Sequence, residues 1–335
     1  MSALLEVENL SISFRTARGT VRALSGASFS LERGGLLVLA GESGSGKSVL
    51  AHSLLGLLPA NASVQGAARL GEDELVGAPE KAMRRIRGSR ISFIPQSPGA
   101  ALSPVRRLGP QLMEAARARG LSKPASGKKL KTLLAELDLD YNGLRNSYIH
   151  QLSGGMQQRL LNALSLVGEP ELVIADEPTS GLDTDLIEAV AGQLEGILSR
   201  GAGLIVITHD LRLARRLGEH LANEGYQNAQ SRLALLYASR IVERRPLSEF
   251  FELPAHPYGE DLLNALPEAG AKPVAGLPPE LTDMPEYCAF APRCRRRFSR
   301  CEREIPADYP LADGGLAACF LHDHDSSQGP REEPC

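Results

Sequence analysis

Tryptophan is absent from these 335 residues, and all aromatics together make up only 4% of them. So few flat rings argue against a protein that stacks single-stranded nucleic acid on aromatic platforms. An excess of one charge is missing too, since 37 basic and 40 acidic residues leave a net charge of −3. No global basic field draws the chain to nucleic acid or anionic lipid. The longest apolar runs, such as Leu36–Ala40 and Leu204–Ile207, fall far short of the roughly 20 residues that cross a bilayer. No basic flank precedes the first acidic residue, Glu6, which argues against a secretory signal and for a cytosolic protein. Cysteine is missing from the first 287 residues, then appears as Cys288, Cys294, Cys301, Cys319 and Cys335. In a reducing compartment such clustering points to metal or redox chemistry ahead of disulfides.

What is present suits a folded chain. Hydrophobic residues reach 43%, while 33 glycines and 22 prolines are too few for a low-complexity polymer. The length suggests two domains, or one with an appendage. Alternation at Leu5, Val7, Leu10, Ile12 and Phe14, repeated over Val21–Leu31, predicts an antiparallel hairpin or small sheet. The solid apolar run Leu36–Ala40 reads as a strand buried on both faces, with a helix following over Ser48–Leu58. Further strands are expected at Arg90–Ile94, Leu172–Ala175 and Leu204–Thr208, with helices between them, so the class is α/β with a largely parallel sheet. Residues 98–149 shift to helix formers and basic residues, with a polar break at Ser122–Gly127, and read as an inserted helical lobe. Pro267–Pro279 reads as a linker to the cysteine-bearing tail.

Gly41-Glu42-Ser43-Gly44-Ser45-Gly46-Lys47-Ser48 fits the pattern G-x-x-x-x-G-K-[ST], with a buried strand before it and an apolar helix after it. Glycines let successive N–H groups converge on a triphosphate, and the helix N-terminus adds positive charge. In that role Lys47 neutralises β/γ oxygens and the Ser48 hydroxyl ligates Mg²⁺; the plainer alternative is a Gly/Ser turn before an ordinary helix. A second apolar strand ends in Asp176-Glu177. Beside a phosphate loop these carboxylates suit two roles, Asp176 in the Mg²⁺ shell and Glu177 on the attacking water. Upstream lies Leu152-Ser153-Gly154-Gly155-Met156-Gln157-Gln158-Arg159, where Ser153 is a good N-cap and the glycines expose N–H groups to an anion.

Together these segments resemble the nucleotide-binding subunit of an ABC transporter, over about Leu5 to Glu243, with Met156 where many members carry Gln. The resemblance implies a P-loop NTPase (RecA-like) core sheet with an N-terminal antiparallel β-subdomain, an inserted α-helical subdomain and a cysteine-containing C-terminal extension. It places an ATP-binding domain at 1–250, with its helical part at about 98–160, and the extension at 251–335. By the same resemblance Ser153, Gly154, Gly155 and Gln157 contact ATP across a head-to-tail pair of such domains, and Gln96 senses Mg²⁺. His209 contacts the γ-phosphate, and Asp183 crosses the pair. Phe14 is the candidate to stack on adenine, with a core role as its alternative. The implied activity is ATP hydrolysis that energises a membrane importer. The implied partners are a second, different ATPase chain, two membrane-spanning permease subunits and, indirectly, an extracytoplasmic solute-binding protein, with no nucleic acid. The location is the cytoplasmic face of the inner membrane. A soluble ATPase working on DNA or ribosomes, or an ATP-binding redox sensor, are the other readings.

The tail points to a branch of that family. His256-Pro257-Tyr258 and the cysteines resemble the C-terminal extension of dipeptide, oligopeptide and nickel importers. The spacing C-x5-C-x6-C-x17-C leaves a metal site, free thiols and disulfides open. The resemblance implies a [4Fe-4S] cluster on Cys288, Cys294, Cys301 and Cys319, with Cys335 a bystander. Six arginines (Arg293, Arg295, Arg296, Arg297, Arg300 and Arg303) either offset the charge of such a cluster or form a solvated surface. Two departures from the family stand out, an apparently longer loop at Asn223–Ser231 and Ala238-Ser239 in place of Ala-Gly.

Overall fold

The computed structural model describes residues 3–323, apart from Arg18, Pro98, Ala100, Gly120, residues 181–183 and residues 226–229. Asp183, Cys335 and the middle of the expected extra loop therefore lie outside the described residues. The chain opens with β1 (Leu5–Thr16), β2 (Gly19–Leu31) and β3 (Leu36–Ala40), then α1 (Lys47–Leu54), β4 (Ala62–Leu70) and β5 (Asp73–Glu74). Next come α2 (Glu80–Ile86), β6 (Ile91–Ile94), α3 (Leu108–Arg117), α4 (Lys123–Ala135), α5 (Tyr141–Leu144) and α6 (Gly154–Leu166). The second half runs β7 (Leu172–Asp176), α7 (Thr184–Ser199), β8 (Gly203–Thr208), α8 (Leu211–Asn223), β9 (Ser231–Tyr237) and β10 (Arg240–Pro246). It ends with α9 (Leu247–Glu252), α10 (Pro257–Asn264), β11 (Tyr309–Pro310) and β12 (Leu316–Ala317). Among the described residues no helix is long and apolar enough to cross a membrane.

Two compact units emerge, and neither is a continuous stretch of chain. The first takes Leu31–Leu36, Gly77–Thr208 and the N-terminal residues through Leu4. Its strands β6, β7 and β8 pair in parallel, Ile91 beside Leu172 and Leu172 beside Gly203. Every residue of β7 and β8 is buried, which is why both read as unbroken apolar runs. Helices α3 to α6 gather Leu108, Leu112, Leu130, Leu134, Leu160 and Leu164 into one apolar cluster. The polar break expected at Ser122–Gly127 is instead the opening of α4. Ser122 stays extended and Pro124 occupies the first turn, where a missing N–H costs no hydrogen bond.

The second unit takes Leu5–Ser30, Leu37–Val76 and the chain from His209 onward. One sheet has the order β2-β1-β4-β5, with antiparallel pairing of β1 to β4 and β4 to β5. The other strands of this unit run β11-β12-β10-β9-β3. The cysteine-bearing tail thus adds β12 antiparallel to β10, Glu243 beside Ala317. Arginines of β10 stitch it down, Arg245 Nε to Asp313 and Arg240 Nη2 to Asp308, each at 2.8 Å. Between β9 and β10, Ala238 and Ser239 both have positive φ, 46° and 68°, as a tight two-residue hairpin turn requires. Glycine would enter that turn more easily, but Ser239 repays the difference locally. Its Oγ donates to the Arg22 carbonyl at 2.5 Å, and its own carbonyl accepts from Ser25 N–H at 2.7 Å.

Candidate functional site

The Gly41–Ser48 loop leaves β3 and enters α1 as expected, and its shape is set by close backbone approaches. Gly41 has φ 141°, and a Cβ there would sit 2.1 Å from the Leu236 carbonyl oxygen. Gly46, at φ 104°, would meet the Ala23 carbonyl oxygen at 2.2 Å. No side chain fits at either position. Lys47 is buried, and its ammonium donates to the carbonyls of Gly41 and Glu42, each at 2.8 Å. Ser45 is buried as well, whereas Ser43, Gly44 and Ser48 are exposed. A buried ammonium, a helix N-terminus and an exposed hydroxyl are the parts from which an anion site is built.

Glu42 has two partners that sequence reasoning did not connect with the loop. Its N–H donates to the Tyr258 hydroxyl at 2.8 Å, and its carboxylate takes a forked pair of bonds from Arg293. The signal for Tyr258 was present as the His256-Pro257-Tyr258 motif. The His256 side chain caps α10 by accepting from the Tyr258 N–H at 3.0 Å, and Pro257 fills the first turn. Arg293 had no such signal beyond being one arginine of six. Arg295, Arg296 and Arg297 are exposed, as a solvated surface expects, whereas Arg293 is buried, and the arginines with visible partners pair with carboxylates. Besides Arg293 with Glu42, Arg296 binds Glu260, Arg297 binds Glu302 and Arg300 binds Glu304 and Asp323.

In the other unit, Asp176 is buried at the carboxyl end of β7 and Glu177 follows it half-buried. Glu177 has φ 47°, and its N–H donates to the Ile207 carbonyl at 2.8 Å. A left-handed conformation costs a non-glycine residue roughly 1–2 kcal/mol. Strain of that kind, fixed by a backbone bond to β8, gathers where a side chain must be aimed. Ser153 caps α6, its Oγ accepting from Met156 N–H at 3.3 Å, and the space beside Gly154 is open. Gln157 is half-buried. Its amide donates to the carbonyls of Ile149 and Leu152, at 3.1 and 3.0 Å, so its donors are spent on the turn before the helix. Gln96 is exposed just past β6. In the second unit His209 is exposed directly after β8, and Phe14 is half-buried near the end of β1.

Cys288, Cys294, Cys301 and Cys319 all line one small cavity of about 10 Å³, together with Phe290, Phe298 and Phe320. None of the four is in a disulfide. Burial pushes the thiols up, to about 11 for Cys294 and about 12 for Cys319, and the neighbouring sulfurs add to it. Backbone N–H groups oppose the shift, as where Arg296 N–H donates to Cys294 Sγ at 3.3 Å. Among the described residues no three such side chains are arranged as ready ligands of a metal ion. The donor set nevertheless fits a soft, multiply charged centre. Sulfur ligands bind such a centre as thiolates, so binding would release the thiol protons that burial here retains.

Comparison with known proteins bears directly on these features. The family model described as ABC transporter matches residues 24–180, and that of the oligopeptide/dipeptide transporter C-terminal region matches residues 242–301. A dipeptide transport ATP-binding protein of Bacillus subtilis is 36% identical, covering 96% of each chain. An oligopeptide transport ATP-binding protein of Escherichia coli is 35% identical over 95% of this chain and 93% of its own. Among solved structures, an ATP-binding subunit of an ABC transporter aligns with a TM-score of 0.58 and 27% identity, over 77% of this chain and 97% of its own. A dimeric ATP-binding cassette bound to ADP and Pi aligns with a TM-score of 0.60 at 22% identity, over 72% of this chain and 98% of its own, and shares the fold. The chain belongs to the ATP-hydrolysing, ATP-binding proteins of the ABC transporter family, in the branch that carries the oligopeptide/dipeptide C-terminal region.

Proposed function

We propose that this chain is the ATPase that energises a membrane importer of dipeptides, oligopeptides or related small solutes. The observation that carries this reading is the Gly41–Ser48 loop, whose glycines are dictated by backbone contacts and whose lysine is buried at its centre. In this reading the loop N–H groups and Lys47 bind the phosphates. Glu177 polarises the attacking water, and His209 holds the γ-phosphate. Ser48, Asp176 and Gln96 offer the hard oxygen donors that would hold Mg²⁺, which neutralises phosphate charge when bound. Ser153, Gly154 and Gly155 reach the nucleotide of a facing ATPase subunit, and Phe14 stacks on adenine. Binding of ATP favours the closed pair and hydrolysis reopens it, so the cycle gates by differential affinity.

The same proposal divides the chain into an ATP-binding domain at 1–250, helical at about 98–160, and an extension at 251–335. It assigns a second, different ATPase chain, two permease subunits and an extracytoplasmic binding protein as partners, at the cytoplasmic face of the membrane. The relatives' transport names and the C-terminal family match support the peptide class. It also assigns a [4Fe-4S] cluster to Cys288, Cys294, Cys301 and Cys319, supported by their convergence on one cavity. Purification of the chain from detergent-solubilised membranes tests the proposal. Permease subunits and a binding protein should co-purify, and cognate peptide should stimulate ATP hydrolysis. Recovery with ribosomes or DNA instead would refute it. For the cluster, anaerobic protein should be brown and carry about four iron and four sulfide per chain; colourless protein with stoichiometric zinc rejects it.

A further inference from the structure

We infer that Arg293, carried by the cysteine-rich tail, is a positioning residue for the phosphate loop, acting through Glu42 to fix the ammonium of Lys47. The inference rests on reading Gly41–Ser48 as that loop. Arg293 lies 251 residues beyond Glu42 in the chain, yet its Nη2 and Nη1 reach the two Glu42 carboxylate oxygens at 2.7 and 2.9 Å. Two more of its donors are committed, Nε to the Ala275 carbonyl at 2.7 Å and Nη1 to the Tyr237 hydroxyl at 3.3 Å. The guanidinium lies 5.5 Å from the Tyr237 ring centroid and 5.9 Å from that of Phe290, and the side chain is only 3% exposed. A forked, charge-assisted pair whose guanidinium is buried is strong and directional, even with the Glu42 side chain 27% exposed. An ordinary surface ion pair has none of these features.

The contacts continue into the loop. Glu42 is tied at its side chain by Arg293 and at its N–H by Tyr258, and its carbonyl accepts from Lys47 Nζ at 2.8 Å. Lys47 therefore takes its place from a residue that the tail holds at two points. The tail's hold is itself rigid. Arg293 N–H donates to the Phe290 carbonyl at 3.0 Å within the turn that joins Cys288 to Cys294, and Phe290 packs edge-on against Tyr237 with centroids 5.2 Å apart. A displacement of about an ångström in a group that meets the reacting phosphate is enough to cost much of its effect.

Steady-state ATP hydrolysis and ATP binding by calorimetry, on the full chain, separate positioning from mere stapling. Arg293→Met keeps the apolar stem and should raise KM and Kd for ATP about tenfold while kcat stays within about twofold. Arg293→Lys keeps the positive charge but loses the planar fork, and should recover part of the loss. Arg293→Met combined with Glu42→Gln should be no worse than Arg293→Met alone, since both break one contact. A staple without influence on the loop would lower the unfolding temperature and leave KM and Kd within about twofold in both Arg293 variants, which overturns the inference. Should Arg293→Met not fold, Arg293→Lys with the binding assay decides alone. Lys47→Ala is measured alongside. Normal ATP affinity there sinks the phosphate-loop reading itself, whereas a weak Lys47→Ala with unaltered Arg293 variants sinks only the clamp.

Discussion

Two glycines of one loop offer a controlled experiment on how the loop is made. Gly41 and Gly44 both have positive φ, 141° and 82°. Around Gly44 a Cβ meets nothing within 4 Å, whereas at Gly41 it would lie 2.1 Å from the Leu236 carbonyl oxygen. Gly44→Ala therefore carries conformational strain alone, about 1–2 kcal/mol. Gly41→Ala carries similar strain and must also push the loop away from the backbone of β9, which adds about 1–3 kcal/mol by the usual cost of overpacking. Its total should be about 2–5 kcal/mol. The chain has no tryptophan, so urea unfolding can be followed by tyrosine fluorescence, with Tyr237 and Tyr258 buried in the same unit as the loop. Both variants should lower the midpoint without changing the slope, Gly41→Ala by clearly more. Equal destabilisation by the two substitutions would refute the claim that contact with β9, and not glycine's freedom alone, fixes the start of the loop.

Three other expectations come from residues elsewhere. Glu177→Gln should cut turnover about a thousandfold while leaving ATP binding intact, within the range typical of a lost general base; turnover at the wild-type rate would remove Glu177 from that role. Glu243 is buried and accepts from the N–H groups of Ala255 and His256 with its two oxygens, at 2.9 and 2.8 Å. Glu243→Gln turns an N–H₂ toward one of those donors and should cost about 1–3 kcal/mol in urea unfolding, and no loss would mean the carboxylate is not holding the start of α10. Glu171 is kept below its ordinary value of 4.5 by hydrogen bonds from Arg90 and Arg33. A carboxyl lowered on folding stabilises above its unfolded pKa and loses that contribution as pH falls through the folded one. Stability should therefore drop below about pH 4.5 more steeply in the wild type than in Glu171→Gln, and parallel acid limbs would contradict the assignment.

The central strands and the Gly41–Ser48 loop were legible because their signals are local. Leu36–Ala40 runs unbroken because neither face meets water, and Gly41 to Ser48 must follow a strand and open a helix to work at all. Where a reading depended on one local cue it was less secure. Ser122–Gly127 has the composition of a break, yet Pro124 in a first helical turn starts α4. Nothing in the motif around Gln157 announces that its amide donates to the carbonyls of Ile149 and Leu152. The hairpin turn at Ala238-Ser239 looked like a departure without a reason, and only the bond from Ser239 to Arg22 shows what holds it.

The sequence by itself determined the features that reside in contiguous stretches: a glycine-rich strand-to-helix loop, an acidic strand end, a capped glycine segment and a set of tail thiols. Each is encoded by neighbours in the chain, through spacing, capping and glycine's tolerance of positive φ. Only the tertiary structure decided that the tail continues a sheet through β12, that its four thiols share one cavity, and that Arg293 grips Glu42 across 251 residues. No pattern of adjacent residues announces such a pairing. It arises because burying an arginine requires an acceptor for its charge, and the fold, not the order of the chain, brings one within reach.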